Sequence, residues 1–257
     1  MTDWPAPAPG AAPLRRIIAA QAGLEIKILL RNGEQLVLTV ILPLLLLVVF
    51  SSESLINVGR GSRIGFIAPG ILALAVLSTS FTSLAIGTAF ERRYGVLKRL
   101  GATPLSRSGL IAAKAALVLT VEAGQVLLIA VLAILLGWHP VVTPVSLLSS
   151  LAVLIAGSAA FSGLALLMAG TLRAEAVLPG ANLLYLVLLG LGGIVFPLSK
   201  FPAGMRPALL LLPSGALSDG LRSVLRYGAG VPGKDLLVLA VWAVVAIAVT
   251  ARTFRWE

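Results

Sequence analysis

Residues able to carry out acid–base or nucleophilic chemistry are few in this sequence and lie far apart. The chain has ten carboxylate side chains and one histidine among 257 residues, and it has no cysteine. Glu122 stands alone in a long uncharged stretch, and His139 lies in a Trp-His-Pro segment that predicts a loop. Because no paired carboxylates and no nucleophile with a neighbouring base occur, we expect no catalytic site, metal centre or cofactor in this chain. An intramembrane enzyme acting on lipid is disfavoured, since it would need clustered His, Asp or Glu.

A possible phosphate-binding loop occurs at Gly228–Lys234, where the spacing of Gly228, Gly233 and Lys234 fits the motif. The motif also requires Ser or Thr after the lysine, to hold magnesium, and a strand before the loop. Here Asp235 follows the lysine, and its carboxylate would repel a phosphate. We therefore interpret the segment as a Gly/Pro turn without a nucleotide site.

Hydrophobic composition sets the fold class. The mean hydropathy is +1.03, and 58% of the residues are hydrophobic while 12% are charged, against roughly 25% charged in soluble domains. Several uncharged stretches reach the ~18–20 residues that a membrane helix needs. We predict an all-α integral membrane protein with a disordered tail at 1–13 and a single domain at 14–257. Its six transmembrane helices would cover about 35–52, 64–90, 112–136, 144–171, 177–197 and 235–252.

The distribution of basic residues predicts the orientation. If both termini are cytoplasmic, the inner segments hold thirteen of the twenty Lys and Arg residues, as the positive-inside rule requires. The connection before the last span breaks the trend, because it carries five cations. The net charge of +10 is spread along the flanks of hydrophobic runs and does not form one patch with interleaved aromatics, so we expect no nucleic-acid binding.

Two amphipathic segments lie outside the predicted spans. In Leu14–Arg31, Ile17, Leu24 and Ile28 form one stripe while basic residues form another, which predicts a helix lying at the membrane interface. In Pro197–Lys234, a short apolar run broken by prolines precedes a helical pattern. This segment cannot span, so we predict that it is re-entrant or lies at the extracellular interface.

The segment Glu91–Lys114 is a charged island between two long uncharged runs, and it carries six of the twenty basic residues. Glu91–Leu100 is rich in helix-forming residues and predicts one helix, and Gly101 and Pro104 predict a sharp stop. The segment is too short for an enzyme domain but long enough for a cytoplasmic elbow that another protein contacts. A solvated loop that serves only as an orientation signal is the alternative.

Three stretches carry a resemblance to a known family. FERRYGVLKRLGATPLSR at 90–107, APG at 68–70 and PLSKFPAGMRPALLLLPSGALSDGLRSVL at 197–225 resemble the permease subunits of type-2 ABC exporters, in particular the daunorubicin-type multidrug branch. The resemblance implies a six-span subunit of the cell membrane that dimerises and docks onto two ATPase subunits, which bind the ATP and magnesium. It further implies coupling through Glu91, Arg92, Arg93, Tyr94, Gly95, Leu97, Lys98, Arg99, Thr103 and Pro104.

The cargo implied by the resemblance is a hydrophobic or amphiphilic compound, such as a drug or a lipid-like molecule, moved outward. A permease for lipid-linked polysaccharide is the alternative within the family. Charged and polar residues within the spans mark the candidate substrate pathway, because a carboxylate in the membrane costs ~2.5–3.5 kcal/mol and should face a cavity or a partner. A structural hydrogen bond to a neighbouring helix is the other interpretation of Glu122. The candidate residues are Glu122, Gln125, Asn182 and Tyr185.

Overall fold

Helices are the regular structure of residues 12–33, 37–52 and 62–253, which this computed structural model describes, and no strand occurs there. Most of the predicted tail at 1–13 lies outside the described residues. Short π-helices lie at Val37–Ile41 and Leu77–Ser83, and a 3-10 turn lies at Leu198–Lys200. The α-helices are α1 (Leu14–Arg31), α2 (Leu42–Ser52), α3 (Arg63–Val76), α4 (Leu84–Arg93), α5 (Val96–Gly101), α6 (Arg107–Leu135), α7 (Pro144–Thr171), α8 (Ala174–Leu191), α9 (Arg206–Leu210), α10 (Pro213–Leu225) and α11 (Gly233–Thr253).

Five helices in the described residues are long and apolar enough to cross a membrane, namely Arg63–Arg93, Ser108–Leu135, Pro144–Thr171, Ala174–Leu191 and Gly233–Thr253. The all-α membrane fold is thus confirmed. The first predicted span corresponds to a shorter apolar helix, Thr39–Ser51, whose thirteen residues reach only ~20 Å at ~1.5 Å per residue. Residues 34–36 and 53–61 beside it lie outside the described part, so the count of six spans stays a prediction.

The second span, Arg63–Arg93, runs through the centre of the bundle, and the most apolar stretch of it is entirely buried. α3, the π-helix Leu77–Ser83 and α4 follow one another without a gap. Pro69 lies inside α3, where a proline removes one backbone donor and favours a bend. A π-helix has more residues per turn than an α-helix. The serines and threonines of Leu77–Ser83 therefore face more than one neighbouring helix in the interior.

Small residues let α7 and α11 approach closely. Gly163 lies so near α11 that a Cβ added there would be 2.8 Å from the Cβ of Ala246. The hydroxyl of Thr250 donates to the carbonyl of Gly163 at 3.2 Å. Along α7, Ala160, Gly163 and Gly170 are buried, Ala156 is partly buried and Ala152 is exposed.

In the segment before the last span, α10 packs inside the bundle. In α10, Ser214, Leu217 and Leu221 are fully buried, and Leu217 fills the space that a Cβ on Gly157 of α7 would need. The indole nitrogen of Trp242, two turns into α11, donates to the carbonyl of Leu211 at 2.8 Å. α10 therefore lies within the bundle, whereas most residues of α9 are exposed.

Arg222 of α10 is buried with 6% of its surface exposed, although the sequence pattern puts it away from the apolar face of this helix. Its guanidinium donates to the carbonyls of Phe66, at 3.2 Å, and Ile194, at 2.8 Å, and it lies 3.8 Å from the centre of the Phe66 ring. The side chain thus joins α10 to α3 and to the segment that follows α8.

α1 packs on α6 through a different face from the one that carries the predicted hydrophobic stripe. The buried residues of α1 are Ala22, Glu25 and Leu29. Leu24 and Ile28, which belong to the predicted apolar stripe, are 53% and 58% exposed and point away from the bundle. An outward apolar stripe on a helix beside the spans fits contact with the membrane interface.

Candidate functional site

The elbow, Glu91–Arg107, connects the second span to α6 in two helical pieces. The single helix predicted over Glu91–Leu100 is wrong, because α4 ends at Arg93 and α5 begins at Val96. Gly95 between them has a φ of 69°, a left-handed conformation that glycine adopts without strain. The predicted stop is confirmed, since α5 ends at Gly101 and the hydroxyl of Thr103 caps the carbonyl of Leu100 at 2.6 Å.

Leu97 anchors α5 to the rest of the molecule. Its side chain is fully buried, in a small cluster with Leu105 and Leu110 that is bordered by Ile17 of α1 and by Leu100. The opposite side of the elbow is open. Its exposed residues include Tyr94, Lys98, Arg99, Thr103 and Pro104.

Two arginines tie the start of the elbow to the connection between α7 and α8. A guanidinium nitrogen of Arg92 donates to the carbonyl of Leu172, and Arg93 forms an ion pair with Glu175 at 2.8 Å. Arg93 and Glu175 are 47% and 61% exposed, and an exposed pair of this kind adds only ~0–1 kcal/mol. Arg92 and Arg93 therefore set the geometry of the elbow more than they stabilise it.

Lys114 of α6 holds two carboxylates below the elbow. Its Nζ atom is 2.7 Å from Oε2 of Glu91 and 3.5 Å from Oε2 of Glu25, and Gln21 donates to the other oxygen of Glu25 at 2.8 Å. The side chains of Lys114 and Glu25 are only 4% and 8% exposed. Sequence reasoning missed this cluster, because spacing along the chain does not show that α1, α4 and α6 bring these three charges together. The place of Glu25 on a face with Ala22 and Leu29 was the available signal.

Glu122 and Gln125 take part in hydrogen bonds between helices. Glu122 is 5% exposed, and its carboxylate accepts a hydrogen bond from Ser158 of α7. Gln125 accepts from the hydroxyl of Thr79 at 2.9 Å and donates to the backbone carbonyl of Thr39. The structure thus places the hydrogen-bond partner of Glu122 on a neighbouring helix, α7.

Asn182 and Tyr185 lie apart from Glu122, on the wall of a cavity of about 510 Å³. The hydroxyl of Ser78 lies 3.4 Å from that of Tyr185. Thr39 also lines this cavity, so the bond from Gln125 to its carbonyl reaches the cavity's edge. The four predicted pathway residues therefore form two groups. Uncharged side chains make up the described wall, namely Asn32, Thr39, Leu42, Ser78, Thr82, Ser83, Ile86, Gly87, Leu178, Asn182 and Tyr185.

A bundle of apolar helices with an elbow that is anchored on one side and exposed on the other defines the class of helical membrane proteins. A family model described as "ABC-2 type transporter" matches residues 22–225. Because this match covers most of the chain, the protein belongs to the ABC-2 type transporter family and is a membrane subunit of an ABC transporter. Members of this family are permease components and not ATPases, and membership implies that an ABC ATPase is the partner. A search of curated proteins finds no match.

Proposed function

We propose that this chain is the permease half of an ATP-driven exporter and that the elbow transmits the motion of separate ATPase subunits to the spans. The supporting observation is the elbow's two-sided construction. Leu97 is fully buried on one side, while Lys98 and Arg99 are exposed on the other. A surface of this kind can bind a partner without unfolding the bundle.

The contacts of the elbow give its motion two routes into the bundle. Leu97 and its cluster contact α1 and the start of α6. Arg92 and Arg93 bond to residues at the α7–α8 connection. A displacement of the elbow would therefore act on α1, on the start of α6 and on the α7–α8 connection.

The 510 Å³ cavity is the proposed substrate site. Its described wall combines hydroxyl and amide groups with aliphatic side chains and carries no charge. Pockets for small molecules are commonly of this size, mostly apolar with a few polar groups. The wall fits an amphiphilic compound with hydrogen-bonding groups, such as a drug or a lipid-like molecule. Outward export and membership of the daunorubicin-type multidrug branch belong to the same proposal, and Glu122 lies outside the described wall of this cavity.

The assembly we propose is a homo- or heterodimer of permeases with two ATPase subunits in the cell's inner or plasma membrane, with both termini cytoplasmic. Exposed apolar side chains on α8, among them Leu183 at 66% and Leu186 at 60%, leave a surface for lipid or a second permease. ATP and magnesium would bind to the partner subunits.

Charge reversal on the elbow tests the proposal. The tagged chain is co-expressed with its ATPase, purified as a complex, and assayed for substrate-stimulated ATP hydrolysis and for ATP-driven uptake into inside-out vesicles. Lys98→Glu with Arg99→Glu should abolish both activities and release the ATPase. Lys234→Glu, an exposed reversal at the start of α11, is the matched control and should change neither. Normal coupling in the elbow variant would show that the charged island, Glu91–Lys114, serves only as an orientation signal.

A further inference from the structure

A second cavity, of about 310 Å³, lies beneath the elbow and shares no lining residue with the 510 Å³ cavity. Its walls come from α4, α5, α6, α7 and α11. Leu97, which anchors α5, is one of the lining residues. The apolar part of the wall consists of Leu97, Leu110, Ile111, Leu166, Ile247 and Ala251.

One polar group on this wall lacks a partner. Thr88 is 1% exposed, and its hydroxyl oxygen has no hydrogen-bond partner among the described residues. A threonine inside a helix usually bonds to a carbonyl one turn earlier, and a buried donor left unused is destabilising. Thr250, also on the wall, is bonded to the carbonyl of Gly163. The free hydroxyl of Thr88 therefore marks where a ligand's acceptor would bind.

The charge near the cavity selects against an anion. Lys114 reaches the wall, but its ammonium group already pairs with Glu91 and Glu25. With both carboxylates ionised the three side chains sum to one negative charge, which would repel a carboxylate or a phosphate.

The cavity reaches the outer surface of the bundle. Ile111 and Ile247, both on its wall, are 49% and 52% exposed. In a membrane-embedded chain such side chains contact lipid, so a ligand dissolved in the bilayer can enter between α6 and α11.

From these observations we propose that the cavity binds an uncharged lipophilic molecule that has a single hydrogen-bond acceptor, such as an aliphatic alcohol. Its hydrocarbon part lies among Leu97, Leu110 and Leu166, and its oxygen accepts the hydrogen bond of Thr88. Because Leu97 belongs to the elbow, occupancy alters the position of α5. That last consequence rests on the proposed coupling function, whereas binding does not.

The test uses the full chain alone, reconstituted in bilayers and labelled with octanol that carries a photoreactive diazirine. We expect label on α6 near Ile111 and on α11 near Ala251, with excess octanol as competitor. Ala251→Phe should fill the cavity and remove the competable label. Ala248→Phe, on an exposed position of α11 that does not line the cavity, should leave it unchanged. Equal competable labelling in these two variants would overturn the proposal.

Two further comparisons test the ligand chemistry. Thr88→Val removes the donor and should weaken octanol competition by about 2–10-fold, the value of one hydrogen bond, whereas Thr88→Ser should retain it. Octanoate, ionised at pH 8, should compete poorly. Competition by octanoate equal to that by octanol, or no loss in Thr88→Val, would refute the assigned chemistry. Because no ATPase is present, the result is independent of whether the elbow couples to one.

Discussion

At the scale of single residues, Lys114 balances two carboxylates in the interior of the bundle. Breaking a buried pair by removing one partner is strongly destabilising, by ~3–5 kcal/mol, because a charge is left uncompensated. Lys114→Met would leave Glu25 and Glu91 facing each other without a cation. We expect this variant to unfold at a clearly lower temperature than the native chain in the same detergent.

The matched control is Arg93→Met, which removes the exposed ion pair with Glu175 and should cost ~0–1 kcal/mol. Combining Lys114→Met with Glu25→Gln and Glu91→Gln removes all three charges and should recover much of the lost stability. Equal melting temperatures for the two single variants would show that the buried cluster contributes no more than a surface pair.

The polar residues of the interior show where sequence reasoning stops. A lone carboxylate in a span must meet a partner, so the burial of Glu122 and its bond to a neighbouring helix could be predicted. The identity of that partner, Ser158, could not, because spacing within one helix does not fix which face of the next helix lies opposite. The same limit applies to Gln125, whose partners Thr79 and Thr39 come from two other segments.

At the scale of elements, the elbow depends on the docking of one leucine. Leu97→Ala should loosen α5, since truncating a buried leucine costs ~2–5 kcal/mol and the local cluster is small. Because the spans pack through a separate core, they should stay folded. We expect faster amide hydrogen exchange in α5 and loss of substrate-stimulated ATP hydrolysis in the complex, with the melting of the spans little changed.

Val96→Ala is the control for this prediction, since Val96 is the neighbouring residue and is 38% exposed. It should leave both exchange and coupling as they are. Normal ATP hydrolysis in Leu97→Ala, together with faster exchange in α5, would show that coupling does not require a docked α5.

Local chemistry explains which elements could be predicted. The ends of the elbow follow from glycine and proline, whose backbone preferences act within a few residues. The break at Gly95 escaped the prediction because the flanking residues favour helix on both sides, and only the left-handed φ shows it. The depth of α10 was also beyond the pattern, since the burial of Arg222 depends on the carbonyls of Phe66 and Ile194, which distant segments supply.

At the scale of the whole molecule, the described contacts show which segments of the chain lie at the same end of the bundle. Leu97 and Ala251 line one cavity, so the elbow and the end of α11 lie together. Gly65, near the start of α3, lies beside Arg226, and Arg222 joins α3 to the segment after α8, so these lie together at the other end. Hydropathy alone predicts the class of fold, but contacts between helices are needed to assign segments to an end.

The distribution of basic residues then predicts which end is cytoplasmic. Since the chain has no cysteine, single cysteines can be introduced at exposed positions without background. With a membrane-impermeant maleimide, we expect Ala102→Cys and Thr253→Cys to react only from the cytoplasmic side, and Lys200→Cys and Tyr227→Cys only from outside. The reason is that Lys and Arg are retained on the cytoplasmic side during insertion, and thirteen of twenty lie in the segments assigned there. Reaction of Lys200→Cys from the cytoplasm would invert the orientation and place the elbow where no ATPase could reach it.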